Sequence, residues 1–228
     1  MTPKGPEPMP TAASDDTPRH GVAEPAEDAA GRKRPKPGER RVQILQALAA
    51  MLEQPGAERI TTAALAARLA VSEAALYRHF ASKAQMFEGL IDFIEQSVFG
   101  LINQLDDREP DPVLRARRLV TLLLQFGEKN PGMTRVMVGD ALVFENERLQ
   151  QRMNLFFDKI EAALRQNLRE VAVLVGASTP TVDAQADASL ITAFCAGRLQ
   201  RFARSGFKRL PTESLEHSLS LLLPAGRL

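Results

Sequence analysis

Apolar positions recur every three or four residues along most of the chain. In "RRVQILQALAAMLEQ", Val42, Leu45, Leu48, Ala49 and Leu52 fall on one face of a helix, and Pro55-Gly56 ends it. "TTAALAARLA" sets Leu65 and Leu69 four apart behind Thr61 or Thr62 as N-cap. Val71-Ser72 interrupts the period, and Ser72 is placed to cap a second short helix, "EAALYRHF". Ser82-Lys83-Ala84-Gln85 has capping-box spacing and opens a longer helix through "MFEGLIDFIEQSVFGLINQL".

The remainder keeps the helical period. Asp111-Pro112 starts "VLRARRLVTLLLQFGEK". Asn130-Pro131-Gly132 breaks it, ahead of a shorter helix in "MTRVMVGDALVF". "NERLQQRMNLFFDKIEAALRQNLREV" is long and amphipathic, residues 176–180 form a loop, and "VDAQADASLITAFCAGRLQRFARSGF" and "TESLEHSLSLLL" finish the chain. No alternating β-branched run bounded by hairpin turns interrupts the series, so the fold class is all-α.

Residues 1–37 depart from this pattern. They hold eight of the fifteen prolines and, apart from one Val and two Met, no large apolar residue. Such a segment cannot bury enough surface to offset its ordering entropy and is expected to be disordered. Asp15, Asp16, Glu24, Glu27 and Asp28 come first, then Arg32-Lys33-Arg34-Pro35-Lys36, followed by Arg40-Arg41. The basic run reads as a solvated linker or as an arm along phosphates.

Composition narrows the class. The net charge is +1, which leaves nucleic acid open because the placement of charge decides it. A single cysteine, Cys195, cannot form a disulfide within the chain and fits a reducing compartment. Its small and apolar neighbours make it a buried hydrophobe rather than a nucleophile. No apolar run approaches the ~20 residues of a membrane span, and no secretory h-region opens the chain. The expectation is a cytoplasmic protein without a membrane partner. His20 and His217 lie far from His79, so no metal cluster suggests itself. Neither a Gly-rich phosphate loop nor a nucleophile elbow is present, so neither an enzyme nor a cofactor is expected.

Two short helices joined by a tight turn, "TTAALAARLA-VS-EAALYRHF", have helix-turn-helix proportions. With Glu73 at the start of the second helix, Leu76 and Phe80 point inward against Leu65, Leu69 and Val71. Ala74, Ala75, Arg78 and His79 point outward, with Tyr77 at the flank. Small outward residues let a helix enter the ~12 Å major groove. Ser72, Tyr77, His79 and Lys83 offer donors that grip phosphates and fix register, and Thr61 and Thr62 stand where helix N–H groups are free.

"ITTAALAARLAVSEAALYRHFASKAQMF" resembles the DNA-binding domain of the TetR family. The resemblance implies a three-helix helix-turn-helix domain over 38–83 and a larger helical domain for dimerisation and partner binding over 84–228; nothing carries over to the Pro-rich tail over 1–37. It carries a DNA-facing role to Thr62, Ser72, Ala75, Tyr77, Arg78, His79 and Lys83. "FGEKNPGMTRVMVGDALVFENERLQQR" and "AFCAGRLQRFARSGFK" are similar to one branch of that family, which works in nucleoid occlusion. That similarity implies a nucleoid-associated homodimer on dispersed palindromic sites in double-stranded DNA, engaging FtsZ and disrupting its polymers. The FtsZ-facing residues it implies are Phe93, Leu122, Lys129 and Asn130. Leu101 and Gln125 depart from the branch, which carries a basic residue and a glycine there. The alternative is a ligand-responsive TetR-type repressor.

Small residues Ala184, Ala188 and Gly197 recur beside Leu190, Phe194 and Leu199. They suit either an intersubunit four-helix bundle or the core of one chain. Met86, Phe87, Phe93 and Phe99 read as core rather than as a ligand pocket.

Overall fold

The computed structural model describes residues 38–54 and 59–223. The expected disordered tail, its basic run up to Lys36 and the Pro55-Gly56 stop lie outside these residues. Nine α-helices form the described chain: α1 (Glu39–Leu52), α2 (Thr62–Arg68), α3 (Glu73–Tyr77), α4 (Lys83–Arg108), α5 (Pro112–Lys129), α6 (Pro131–Met137), α7 (Glu147–Leu174), α8 (Pro180–Arg204) and α9 (Leu215–Leu222). A short 3-10 turn, Asp140–Leu142, precedes α7. The described residues contain no strand, as the unbroken helical period predicts.

Hydroxyl and carboxylate caps set the helix starts. Thr61 accepts a hydrogen bond from the Ala64 N–H at 3.2 Å, Ser72 from Ala75 at 3.3 Å and Ser82 from Gln85 at 3.2 Å. Asp111 accepts from Val113 at 2.8 Å, with Pro112 at the first helical position. Two expected boundaries shift. The second helix of the helix-turn-helix spans only Glu73–Tyr77 rather than running to Phe80. Phe80 turns into the core, and the Arg41 guanidinium donates to the His79 carbonyl at 3.2 Å, closing the helix end. The break at Asn130-Pro131-Gly132 is itself a helix start, since Pro131 needs no N–H partner there; α6 ends ahead of Gly139, whose φ is 83°.

The buried face of α1 is Ile44, Leu48, Ala49 and Leu52, while Val42 is exposed. The apolar stripe is rotated from the expected one because Ile44, Leu48 and Leu52 stack at i, i+4 spacing. Leu65, Leu76 and Phe80 close the small N-terminal core, and one continuous cluster runs from them into the larger bundle. There, α7 and α8 pack along their lengths through Phe156, Ile160 and Leu164 against Ala188, Ile191, Cys195 and Leu199. Met86 and Phe87 are buried and Phe99 lies 5.4 Å from the Phe156 ring, but Phe93 is exposed. Burial pushes the Cys195 thiol up to about 12, which removes the thiolate at neutral pH.

Ion pairs tie α4 to the start of α7. Lys83 pairs with Glu145, Arg148 with Glu88 at 2.5 Å, and Arg152 with Asp92 at 2.6 Å and Glu95 at 2.7 Å. The Glu95 hydrogen bond is the main reason that the Arg152 guanidinium holds its proton even more firmly than usual. These pairs place the N-terminal ends of α4 and α7 side by side.

Candidate nucleic-acid interface

The DNA-facing candidates divide between α2, α3 and the turn after it. Thr61 and Thr62 stand at the head of α2, and Ser72 caps α3. Thr62 donates to a Glu73 carboxylate oxygen at 2.5 Å, and the Tyr77 hydroxyl lies 3.5 Å from the Thr62 hydroxyl, donating to it. This small network fixes the tyrosine and threonine on one exposed surface. Ala75 follows Ser72 on that side, half-buried, and leaves room for a close approach. Arg78 and His79 are exposed on the turn, not on the helix. The Arg41 guanidinium lies 4.2 Å over the Phe80 ring. Arg41 therefore clamps the end of α3 from α1, whereas its place in the sequence groups it with the basic run.

Lys83 sits apart from this network. It begins α4, and its ammonium is held by Glu145, with 27% of its side chain exposed. Sequence alone does not single out Glu73, Arg41 or Glu145. Glu73 and Arg41 carry only weak local signals, an acid in a first helical turn and a helix-phase position. Glu145 lies 62 residues from Lys83, so no local pattern could have paired them.

A second feature lies on the larger bundle. Leu101 of α4 faces Arg118, Leu122, Gln125, Phe126, Lys129 and Asn130 of α5 across a groove of about 440 Å3. Three of the four partner-facing candidates, Leu122, Lys129 and Asn130, are brought together there. Phe93 does not line the groove, although it is exposed on the same helix, eight residues before Leu101. The two departures noted in sequence, Leu101 and Gln125, both line it. Sequence reasoning misses Arg118, yet it lies one helical turn before Leu122, so the 3.6 period from Leu122 and Lys129 leads to it. It pairs with Glu109 at 2.7 Å and keeps 59% of its side chain exposed.

The stripe of small residues on α8 splits between two roles. Ala184, Ala188 and Leu199 are buried within the chain, whereas Leu190 and Gly197 are exposed. Among the described residues no helix is long and apolar enough to cross a membrane.

A short capped helix pair with this surface on one side defines a helix-turn-helix regulator. Residues 44–90 match the family described as bacterial regulatory proteins, tetR family, and residues 111–225 match the SlmA-like tetracyclin repressor-like C-terminal domain. The chain is 54% identical to the nucleoid occlusion factor SlmA of Vibrio cholerae, over 80% of this chain and 93% of that protein. It is 54% identical to the Escherichia coli K12 protein of the same name, over 78% and 89%. The chain belongs to the SlmA family of TetR-type DNA-binding regulators and is not an enzyme. Its fold is shared more widely. A TetR-family transcriptional regulator from Bordetella parapertussis superposes with a TM-score of 0.64 at 18% identity, covering 84% of this chain and 98% of that one. The fatty acid degradation regulator FadR of Bacillus halodurans gives 0.67 at 16%, covering 83% and 97%.

Proposed function

We propose that this chain is a DNA-associated inhibitor of cell division: a homodimer that binds palindromic chromosomal sites and, while bound, engages FtsZ and disrupts its polymers over the nucleoid. The observation that carries the reading is identity to nucleoid occlusion factors through both the helix-turn-helix and the C-terminal bundle. The cytoplasm, where chromosome and FtsZ meet, is the compartment it requires.

Three surfaces support it. The Thr62–Glu73–Tyr77 network holds two hydroxyls at the surface, which donate to a phosphate once they rotate away from Glu73 and from each other, with Thr61, Ser72, Ala75, Arg78 and His79 around it. Ala75 makes room for base edges while the hydroxyls and cations fix register. Lys83 reaches a phosphate by exchanging Glu145 for it. The second surface is the α4–α5 groove. Leu122 and Phe126 offer apolar contact beside Lys129, Arg118 and Asn130, a combination that suits a short apolar peptide flanked by acids. FtsZ is the partner this reading assigns to it, with Phe93 as an outlying contact. The third surface is the exposed side of α7 and α8. Leu155 and Ala162 on α7, and Val182, Ala186, Leu190 and Ala193 on α8, recur at helical spacing facing solvent. Pairing these faces across a two-fold builds a four-helix seam and sets two α3 helices against two half-sites.

The test is capture of purified FtsZ by the chain immobilised on biotinylated genomic DNA fragments that it selects. Retention of FtsZ on protein-loaded fragments, and not on bare DNA, supports the reading. Selection of a few promoter fragments with no retention of FtsZ would favour an ordinary repressor.

A further inference from the structure

The end of α8 and the strap after it carry four exposed cations: Arg201, Arg204, Lys208 and Arg209. None of the four is in an ion pair among the described residues. Asp140 lines the same groove as Arg204 and Glu213 follows Arg209 by four residues, and neither acid pairs with the four cations. Other arginines of the bundle, such as Arg115, Arg117, Arg118, Arg148 and Arg152, each have a carboxylate partner. Arg108, Lys129, Arg165 and Arg169 also lack such a partner among the described residues, and what sets these four cations apart is their clustering within residues 201–209.

The strap is built rather than loose. Gly206 and Phe207 both adopt left-handed backbone, with φ of 64° and 65°. For a bulky residue such as Phe207 that conformation is an outlier that surrounding packing must enforce. The enforcing contacts are present. The Phe207 ring lies 5.1 Å from Phe202, and the Arg135 guanidinium lies 5.1 Å over it. The Ser205 hydroxyl accepts hydrogen bonds from the N–H groups of Lys208 at 3.1 Å and Arg209 at 2.9 Å. These contacts fix the backbone of the two cationic residues.

Three sets of contacts place the strap at the DNA end of the molecule. Lys83–Glu145 and Glu88–Arg148 put the start of α7 beside the start of α4, next to the helix-turn-helix. Gln150 and Asn154, near the start of α7, line one groove with Gln200 and Arg204, near the end of α8. Arg135, stacked on Phe207, also donates to the Gln54 carbonyl at 3.3 Å, just after α1 and seven residues before Thr61.

We infer that Arg201, Arg204, Lys208 and Arg209 form a second phosphate-binding surface, outside the helix-turn-helix, that contacts the backbone of the same DNA duplex. This rests on the DNA-binding reading and adds to it a sequence-independent contact from the C-terminal bundle. Cations held within a Debye length of DNA release counterions and so add to the salt dependence of binding without reading bases.

The test is fluorescence anisotropy with the full chain and two 40-bp duplexes, one enriched from a random library by the wild-type chain and one scrambled, titrated across KCl concentrations. The variant is R201Q/R204Q/K208Q/R209Q, and R201Q/K208Q is a milder second variant should the first fail to fold. Ala75→Leu reports on base readout by the helix-turn-helix alone. The inference expects each strap variant to weaken both duplexes at low salt, the quadruple by about tenfold or more, and to make log K against log[KCl] shallower by roughly 0.9 for each phosphate no longer neutralised. The preference for the enriched duplex is unchanged. Ala75→Leu instead lowers that preference, because it fills the space left for base edges. Strap variants with wild-type affinity and slope on both duplexes overturn the inference while leaving the DNA reading intact. A folded variant that loses only the preference overturns it as well. A wild-type chain that binds neither duplex overturns the DNA reading itself, and the strap with it.

Discussion

Gly132 lies so close to Ala49 that a Cβ on Gly132 would sit 3.0 Å from the Ala49 carbonyl carbon and nearer still to its oxygen. The contact joins α6 to the last turn of α1, so the N-terminal helical domain is seated directly on the bundle. Backbone cannot yield as a flexible side chain can. Gly132→Ala is expected to force α1 and α6 apart and to lower stability by about 1–3 kcal/mol, the usual range for overpacking. Gly100, within α4, has open space around its Cβ position. Gly100→Ala should raise stability by up to about 1 kcal/mol through helix propensity. Thermal melts of the two variants check both signs.

On the proposed reading, Lys83 is shared between two demands. Glu145 holds it in the unbound chain, and a phosphate must displace Glu145 for Lys83 to bind DNA. Glu145→Gln should therefore raise DNA affinity several-fold at low salt. Lys83→Ala should lower it and make the salt slope shallower by roughly 0.9. Titrations at several KCl concentrations measure both, and unchanged affinity in Glu145→Gln would show that the pair imposes no cost on binding.

The pairing face can be tested at Leu190, which is 58% exposed in the single chain. Leu190→Asp places a charge in the seam proposed for the dimer. Sedimentation should show a shift towards monomer, and affinity for a palindromic duplex should fall much more than affinity for a single half-site. A variant that remains dimeric would move the seam elsewhere.

On the proposed reading, the α4–α5 groove separates partner binding from DNA binding. Leu122→Glu or Lys129→Glu should weaken FtsZ binding by tenfold or more and leave DNA affinity unchanged, since neither residue lies in the helix-turn-helix. Phe93→Ala should have a smaller effect, because Phe93 stands outside the groove lining.

Local pattern carries much of this fold in the sequence. Ser72, Ser82 and Asp111 announce helix starts, and their side chains make the expected cap bonds. Leu76 and Phe80 are legible as inward-facing from spacing alone. Long-range contacts are not legible. The pairs Lys83–Glu145 and Arg135–Gln54 bring together residues far apart in sequence, and no periodicity encodes them. The phase of α1 is ambiguous because Val42 and Ile44 are both β-branched and apolar, and only packing decides which is covered. The α3 end is hidden for a similar reason: "YRHF" has no helix breaker, and the Arg41 clamp that ends the helix comes from another element. The groove is half legible, through Leu122, Lys129 and Asn130, because the family resemblance points to them; the periodicity of α5 alone does not mark them out.

The most direct measurement is FtsZ polymerisation with GTP, followed by sedimentation, with the chain added alone and with a duplex it binds specifically. The account predicts less pelleted FtsZ with the chain, and less again when the specific duplex is present. FtsZ polymers that pellet equally at saturating chain, with or without that duplex, would contradict it.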